Sequence, residues 1–482
     1  MRARGREYPA RVRTSSVGVI WALAGLAVAG CSSDDVATGT ETATESSSSS
    51  SSGSSGSGTT AGTTTSATTS ATGGETTSPT EGTATTTDAS TTATSATTDA
   101  PTTTGTTGDT DTDTDTDTGG GGAIECDGEP LAVPAEGVCG VAVSGSKGYL
   151  LRGTVLAPDD VYLKGQVLVI DDAIACVGCG CDALPEAAAA SVIDCPDGVI
   201  SPGLINAHDH ITFVNNKPIG EGVDRYEHRH DWRIGQNGHK KLSVAGGANA
   251  QMVSAAEVRF LIGGTTSTRS AGGRAGLIRN LDTTNLLEGL PIGTVDSDTF
   301  PLDDASGKQI EAGCSYGANP TEAADIADLT AYVPHISEGI NKAARNEFVC
   351  TSMGSGDLIA PQTGVVHAVA LDASDVQLMR ADTAKVVWSP RSNIVLYGNT
   401  APVTVLDRLG VPLALGTDWV ASGSMNLGRE LRCADELNQT RFDGYFSDVE
   451  LWRMVTTNGA FVAGAESAIG MLKPGYIADI AI

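Results

Sequence analysis

From about residue 140 onward, hydrophobic and polar positions fall into two textures. The first is short and strand-like. "YLLRGTVLAP", "VYLKGQVLVI" and "AIACVG" are apolar runs broken by Asp, Gly and Lys turns, and they predict a small β-domain. After Asn206, short apolar runs alternate with helix-length stretches, the βα pattern of a parallel sheet or barrel. The predicted strands are "GVISPGLINA", "GGTTSTR", "PIGTVDS", "TAYVPHI", "TGVVHAV", "AKVVWSP" and "VPLALGTD". The predicted helices are "AQMVSAAEVRFLI", "SEGINKAARNEF", "DASDVQLMRAD" and "PVTVLDRLG". That leaves the strand count one short of an eight-stranded barrel. An irregular fourth strand is expected between Ser297 and Leu329, where "CSYGANPTEAADIA" offers no clean apolar run.

In a (β/α)8 barrel the catalytic groups sit at the C-terminal ends of the strands. Those ends carry His208 and His210, Arg269, Asp296, His335, His367, Ser389-Pro390 and Asp418. Four of the chain's 7 histidines fall there, where chance placement would scatter them. His208 and His210 stand one residue apart in "GVISPGLINAHDHITF". Residues i and i+2 of a strand share a side, so this pair is placed to hold one metal ion.

These segments resemble the amidohydrolase superfamily, most closely its deaminase and chlorohydrolase branch. The resemblance is carried by "ISPGLINAHDH", "VPHISEG", "VVHAVALDASDV", "WSPRSNIVLYG" and "VPLALGTDWVASGSMNLGRELRCA", with "TTNGAFVAGAESAIGMLKPGYIADIAI" resembling the closing helix and the return to the β-domain. It implies an α/β fold: a distorted (β/α)8 TIM barrel over residues 199–470 with a small flanking β-sandwich domain. The β-domain is expected over residues 123–198, with residues 471–482 beginning a return to it. Relatives continue beyond "ADIAI", so the chain is expected to be a fragment or to carry an incomplete β-domain.

The resemblance further makes His208, His210, His335 and Asp418 metal ligands, a set that suits Zn²⁺ or Fe²⁺. Such an ion lowers the pKa of a water toward neutrality. Asp418 would accept that water's proton, Glu338 would deliver a proton to the substrate nitrogen or leaving group, and His367 would polarise the attacked carbon's oxygen or steady the water. Arg391, Asn393 and Trp388 are expected to line the seventh strand's mouth, with Arg391 a candidate for a substrate carboxylate or, equally, for a structural role. Two-metal relatives bridge their ions through a carbamylated strand-four lysine. The one lysine between Thr294 and His335 is Lys308, in the loop-like context "ASGKQI", which favours a single ion.

Two segments depart from the pattern. "DRYEHRHDWRIGQNGHKK" packs His228, His230 and His239 into the loop after the first barrel strand; they are expected to touch substrate or each other, with a second metal site as the alternative. "SAGGRAGLIRN" is glycine-rich, and reads as opening a helix that cradles an anion, or equally as tight packing.

Composition changes the picture mainly at the N-terminal side. Arg2, Arg4, Arg6, Arg11 and Arg13 precede an apolar run from Val17 to Ala29, an export signal too short to span a bilayer comfortably. It ends in Val28-Ala29-Gly30-Cys31, which resembles a bacterial lipobox, so Cys31 is expected to be lipidated and the protein anchored in the cell envelope. From Ser32 to Gly122 the chain is almost entirely Ser, Thr, Gly, Ala and Asp. A segment so poor in apolar residues cannot offset its ordering entropy and reads as a disordered tether, domain limits 31–122, spanning about 50 Å root-mean-square. Of the formal charge of −28, the leader contributes +4 and the tether −13, which leaves −19 for the rest. That acidity argues against nucleic acid as a partner. Ten cysteines in an exported chain suggest disulfides; "CVGCGC" could bind zinc, but an oxidising compartment favours disulfide pairing.

The expected function is hydrolysis of a non-peptide carbon–nitrogen bond in a small nitrogen-containing molecule, by deamination or cyclic amide cleavage. The alternatives are the same chemistry on another leaving group, or a surface binding protein that kept the barrel without turnover. Whether it forms a homo-oligomer stays open.

Overall fold

The computed structural model describes residues 122–219 and 224–482. The export signal, Cys31 and the tether expected from the sequence lie outside the described residues. No helix among the described residues is long and apolar enough to cross a membrane.

The N-terminal strands β1 (Ala123–Glu125), β2 (Gly140–Val143), β3 (Tyr149–Leu156), β4 (Val161–Ile170), β5 (Ala173–Gly178) and β6 (Ser191–Pro202) form a mixed seven-stranded sheet. Its last member comes from the other end of the chain and is introduced below. Alternation along β3 and β4 sends Leu151, Val155, Val167 and Val169 to one face, with Leu472, and Leu150 and Leu168 to the other, with Ala187 and Ala190. The expected sandwich is therefore one sheet with both faces covered. Three disulfides pin it: Cys126–Cys179, Cys139–Cys195 and Cys176–Cys181. The "CVGCGC" cysteines are thus spent on disulfides, not on zinc.

The remaining strands are very short: β7 (Leu204–Asn206), β8 (Thr265–Thr268), β9 (Arg279–Asn280), β10 (Val295–Asp296), β11 (Ala331–Tyr332), β12 (His335–Ile336), β13 (Gly364–His367), β14 (Lys385–Trp388) and β15 (Leu413–Leu415). They pair in parallel as three ladders, β7-β8-β9, β10-β11 and β12-β13-β14-β15. A few backbone bonds link successive ladders, among them Val295 N to Leu281 O and Ala207 N to Leu415 O, while β11 and β12 are halves of one strand broken around Pro334. No single closed ladder runs through them all. The strand β16 (Ile480–Ala481) returns to pair antiparallel with β6.

The strand missing from the sequence pattern is β9, inside "SAGGRAGLIRN", and not a segment after Ser297. This glycine-rich turn opens no helix. Its Arg274 N–H is spent on the buried Glu257 carboxylate, which argues for packing over anion binding. The region between Ser297 and Leu329 is loop with one short helix, tied down by the Cys314–Cys350 disulfide.

Helices α1 (Ala250–Ile262), α2 (Ala323–Ile326), α3 (Lys342–Cys350), α4 (Ala373–Ala381), α5 (Pro390–Tyr397), α6 (Val403–Arg408), α7 (Leu427–Arg441), α8 (Asp448–Met454) and α9 (Thr457–Val462) fall between and after the strands. Local sequence explains their starts. Asn249, Asn341 and Asn426 cap α1, α3 and α7 by accepting a first-turn N–H, and Asp372 with Asp375 forms a capping box on α4. α5 starts on Pro390, where the missing N–H costs nothing, and ends at Gly398 in the left-handed region. The α4, α6, α7 and α8 side of β13, β14 and β15 packs Val365, Val386, Trp388 and Leu413 with Met379, Leu406 and Leu437.

Candidate metal centre

Strand ends bring five of the predicted side chains to one place. His208 and His210 follow β7, His335 starts β12, His367 ends β13, and Asp418 stands three residues beyond β15. The ends of β7 and β15 are bonded directly, Asp418 N to His208 O at 3.1 Å, so the first and last of these motifs meet although 210 residues separate them. Gly416 makes that approach possible: a Cβ there would lie 2.7 Å from the His208 Cβ. Two of the side chains are delivered by strained backbone, with φ of 76° at His367 and 52° at Asp418. Such conformations cost about 1–3 kcal/mol each and cluster at functional sites.

The nitrogens converge. His210 Nε2 lies 3.3 Å from His335 Nε2, and Asp418 Oδ1 lies 3.5 Å from His208 Nε2 and 3.7 Å from His210 Nε2. His208, His335 and His367 form a second close group sharing His208. Both ring nitrogens of His208 are buried without a hydrogen-bond partner. Burial pushes His208 down to about 4 and His210 to about 3, and it drives His335 well below the usual imidazole range. These rings are therefore neutral at pH 7 and keep lone pairs available. Burial alone would raise Asp418, but contact with His208 and the surrounding imidazoles outweighs it and holds the carboxyl below its ordinary value. Neutral imidazoles, one carboxylate and an orphaned buried ring fit a divalent ion.

Neighbours orient each member. His335 Nδ1 lies 3.3 Å from Asp298 O, a bond that puts its proton there and frees Nε2. Ser392 Oγ donates to Asp418 Oδ2 at 2.5 Å. Glu338, buried three residues after His335, accepts from Tyr397 Oη at 2.7 Å through Oε1, and its Oε2 lies 3.6 Å from His367 Nε2. Asn393 sits beneath His367, whose Nδ1 lies 3.2 Å from Asn393 Oδ1. Beside His210 stands an aromatic group: Phe213, 6.1 Å away between ring centres, then Trp419 and Trp232 at successive spacings of 5.7 and 5.1 Å.

Two predicted substrate contacts are placed elsewhere. Trp388 is fully buried in the core, its indole N–H donating to Thr400 at 2.6 Å. Val387 and Trp388 alternate across β14, and it is Trp388 that faces the helices. Arg391 is buried in α5, its backbone N–H donating to Glu430 and its Nε to Ser424 Oγ at 2.9 Å, so it braces α5 against the segment that follows Asp418. Lys308 is exposed in the loop and donates to the carbonyls of Ser315 and Tyr316. His239 stays apart from the cluster, near Asp224 and Tyr226. Sequence reading missed Ser392 and Tyr397, although both lie within "WSPRSNIVLYG", and it missed Asp298, Asp304 and Glu347, which lie in no quoted site motif.

The Amidohydrolase family model matches residues 323–482. A 5'-deoxyadenosine deaminase from Methanothermobacter thermautotrophicus is 26% identical over 372 residues, covering 69% of this chain and 84% of that protein. A 5-methylthioadenosine/S-adenosylhomocysteine deaminase from Teredinibacter turnerae matches more locally, 36% identical over 126 residues, 26% of this chain and 28% of that protein. Among solved structures, an atrazine chlorohydrolase from Arthrobacter aurescens TC1 complexed with zinc aligns at 17% identity and a TM-score of 0.49, covering 69% of this chain and 86% of that chain.

Proposed function

We propose the following chemistry for a chain that belongs to the amidohydrolase superfamily: metal-dependent hydrolysis of a non-peptide carbon–nitrogen bond in a small nitrogen-containing molecule. The observation that carries this is the convergence of His208 Nε2 and His210 Nε2 on Asp418 Oδ1, with His335 Nε2 3.3 Å from His210 Nε2. We read the round order of short parallel strands as a distorted (β/α)8 barrel with this cluster at its C-terminal mouth.

His208, His210, His335 and Asp418 would hold one Zn²⁺ or Fe²⁺. When bound, such an ion supplies Lewis acidity and brings the pKa of a water toward neutrality. The protein's own residues do the proton work. Asp418 keeps Oδ1 ionised and directed into the cluster, ready to accept a proton from that water. Glu338, oriented by Tyr397, passes a proton to the nitrogen of the bond being broken. His367, held through Nδ1 by Asn393, presents Nε2 toward Glu338 and the substrate. Phe213, Trp232 and Trp419 offer planar surfaces on which an unsaturated ring can lie. Lys308's place in the loop supports a single ion.

The deaminase names of the relatives favour release of ammonia. Metal-loaded protein assayed for ammonia against purines, pyrimidines, triazines and cyclic amides tests this. Ammonia release dependent on Glu338 is expected; ring opening without ammonia would point to amide hydrolysis, and no turnover on any class would contradict the proposal. Export and lipid anchoring at Cys31 are proposed on the leader's charge and apolar pattern, with the disulfides of the body in support. Mass spectrometry of the mature N-terminal peptide should show a diacylglyceryl adduct, and a free Cys31 thiol in envelope-derived protein would contradict it.

A further inference from the structure

We infer that Arg229 is a positioning residue for His335 and Glu338, and that the histidine–carboxylate cluster around it is a clamp on their turn and not a second metal site. This rests on the roles proposed above for those two residues. The loop after β7 carries "HRHD", His228 to Asp231, beneath residues 335–339. Arg229 is 1% exposed. Its Nη1 donates to Thr299 O at 2.6 Å and to His335 O at 3.3 Å, while Nη2 reaches Asp304 Oδ2 at 2.7 Å and Glu347 Oε1 at 3.0 Å. Its backbone N–H donates to Glu338 O at 3.0 Å, and Glu347 Oε2 accepts from Ser337 N at 3.0 Å. His228 bridges antiparallel to Gly339. His335, Ser337, Glu338 and Gly339 are thus each tied by backbone to this loop or to Arg229's partner.

The turn needs such ties. Ser337 has φ of 62° and Gly339 of 154°, and a Cβ on Gly339 would lie 2.4 Å from Glu227 O. Strained backbone persists only where its surroundings over-determine it. Here it turns the chain so that His335 faces the cluster and Glu338 stands beside it. A lysine has one compact ammonium and cannot reach four acceptors in different directions as a guanidinium does.

The ligand atoms of His228, His230 and Glu347 lie close enough together to suggest a metal. The hydrogen bonds assign the protons otherwise. His228 Nδ1 accepts from His230 N, and His230 Nδ1 accepts from Arg233 Nε, both at 3.2 Å. With Nδ1 accepting, each ring carries its proton on Nε2, where His230 meets Asp304 Oδ2 at 2.8 Å and His228 faces Glu347 Oε1 at 3.3 Å. Each ring thus turns an N–H, not a lone pair, toward a carboxylate, and Arg229 already pairs with both carboxylates.

The test compares wild type with Arg229→Lys and Asp304→Asn, the second keeping side-chain shape if the first fails to fold. Co²⁺ binding followed by its visible spectrum reads ligand geometry without needing turnover, alongside kcat, KM and total metal. Both variants are expected to bind Co²⁺ with an altered spectrum and to lose about 10–100-fold in kcat with KM little changed. Lower thermal stability with unchanged Co²⁺ spectrum and kcat would make Arg229 merely structural and overturn the inference. So would a second ion per chain that His230→Asn removes. If wild type turns over no substrate, the functional reading fails, while the Co²⁺ spectra still decide the positioning role.

Discussion

Ser392 donates its hydroxyl to Asp418 Oδ2 at 2.5 Å, which leaves Oδ1 as the oxygen that faces His208 and His210. The carboxylate is thereby divided into an anchored and a working half. Asp418→Asn can still place an oxygen in the cluster but accepts no proton. It is expected to retain metal and lose turnover by about 10²–10⁴-fold, the range for lost general acid–base catalysis. Ser392→Ala should retain metal with a smaller loss, about 10–100-fold, because only the orientation is released. Full activity in Asp418→Asn would remove this residue from the mechanism.

Glu338 holds its place through Tyr397 and lies 3.6 Å from His367 Nε2. Glu338→Gln keeps the bond to Tyr397 but has no proton to pass on. Expected are unchanged metal content, kcat lower by about 10²–10⁴-fold, and loss of one limb of the pH–rate profile. A profile of unchanged shape would assign the proton transfer to another group.

The disulfides give a prediction about the small sheet. Cys139–Cys195 closes a separation of 56 residues. Replacing both cysteines by serine is expected to cost about 2–5 kcal/mol in denaturant unfolding. An unchanged unfolding midpoint, under conditions where wild type is fully oxidised, would show the bridge to be dispensable.

Much of this arrangement was legible in the sequence where pattern and local chemistry agree. α1 runs over the residues of "AQMVSAAEVRFLI", and β4 and β5 over their apolar runs, because each is long enough for its periodicity to show. β9 escaped because two residues, Arg279 and Asn280, are too few and too polar to make an apolar run. The third helix was expected to begin at Ser337 but begins at Lys342, since Ser337 and Gly339 hold positive φ to present Glu338. The histidines and Asp418 stood out by residue type and spacing. Trp388 misled because a strand's last residue can face either side, while for Arg391 the sequence left substrate binding and a structural role open because its partners Ser424 and Glu430 lie in a segment with no predicted element. The Arg229 clamp joins residues 229, 304 and 347, and no spacing rule connects them.

Glu430 makes a pH-dependent prediction. Burial pushes its carboxyl up to about 7, against the bonds from Ser424 and the Arg391 N–H that pull it down. An unfolded glutamate releases its proton near 4.5. Between those values the folded chain holds a proton that the unfolded chain has lost, so this residue's contribution to stability falls as pH rises through the window. Glu430→Gln has no such dependence. Its melting temperature relative to wild type should therefore move upward from pH 5 to pH 8, and a difference constant with pH would contradict the buried, raised carboxyl.

The most direct test of the central claim is metal content per chain. Wild-type protein, dialysed against metal-free buffer and measured by plasma mass spectrometry, is expected to hold close to one Zn²⁺ or Fe²⁺. His208→Ala combined with His210→Ala should reduce this to near zero with an unchanged circular dichroism spectrum, because one strand end supplies both nitrogens. Two ions per chain in wild type, or one ion retained in the folded double variant, would contradict a single centre built on His208, His210, His335 and Asp418.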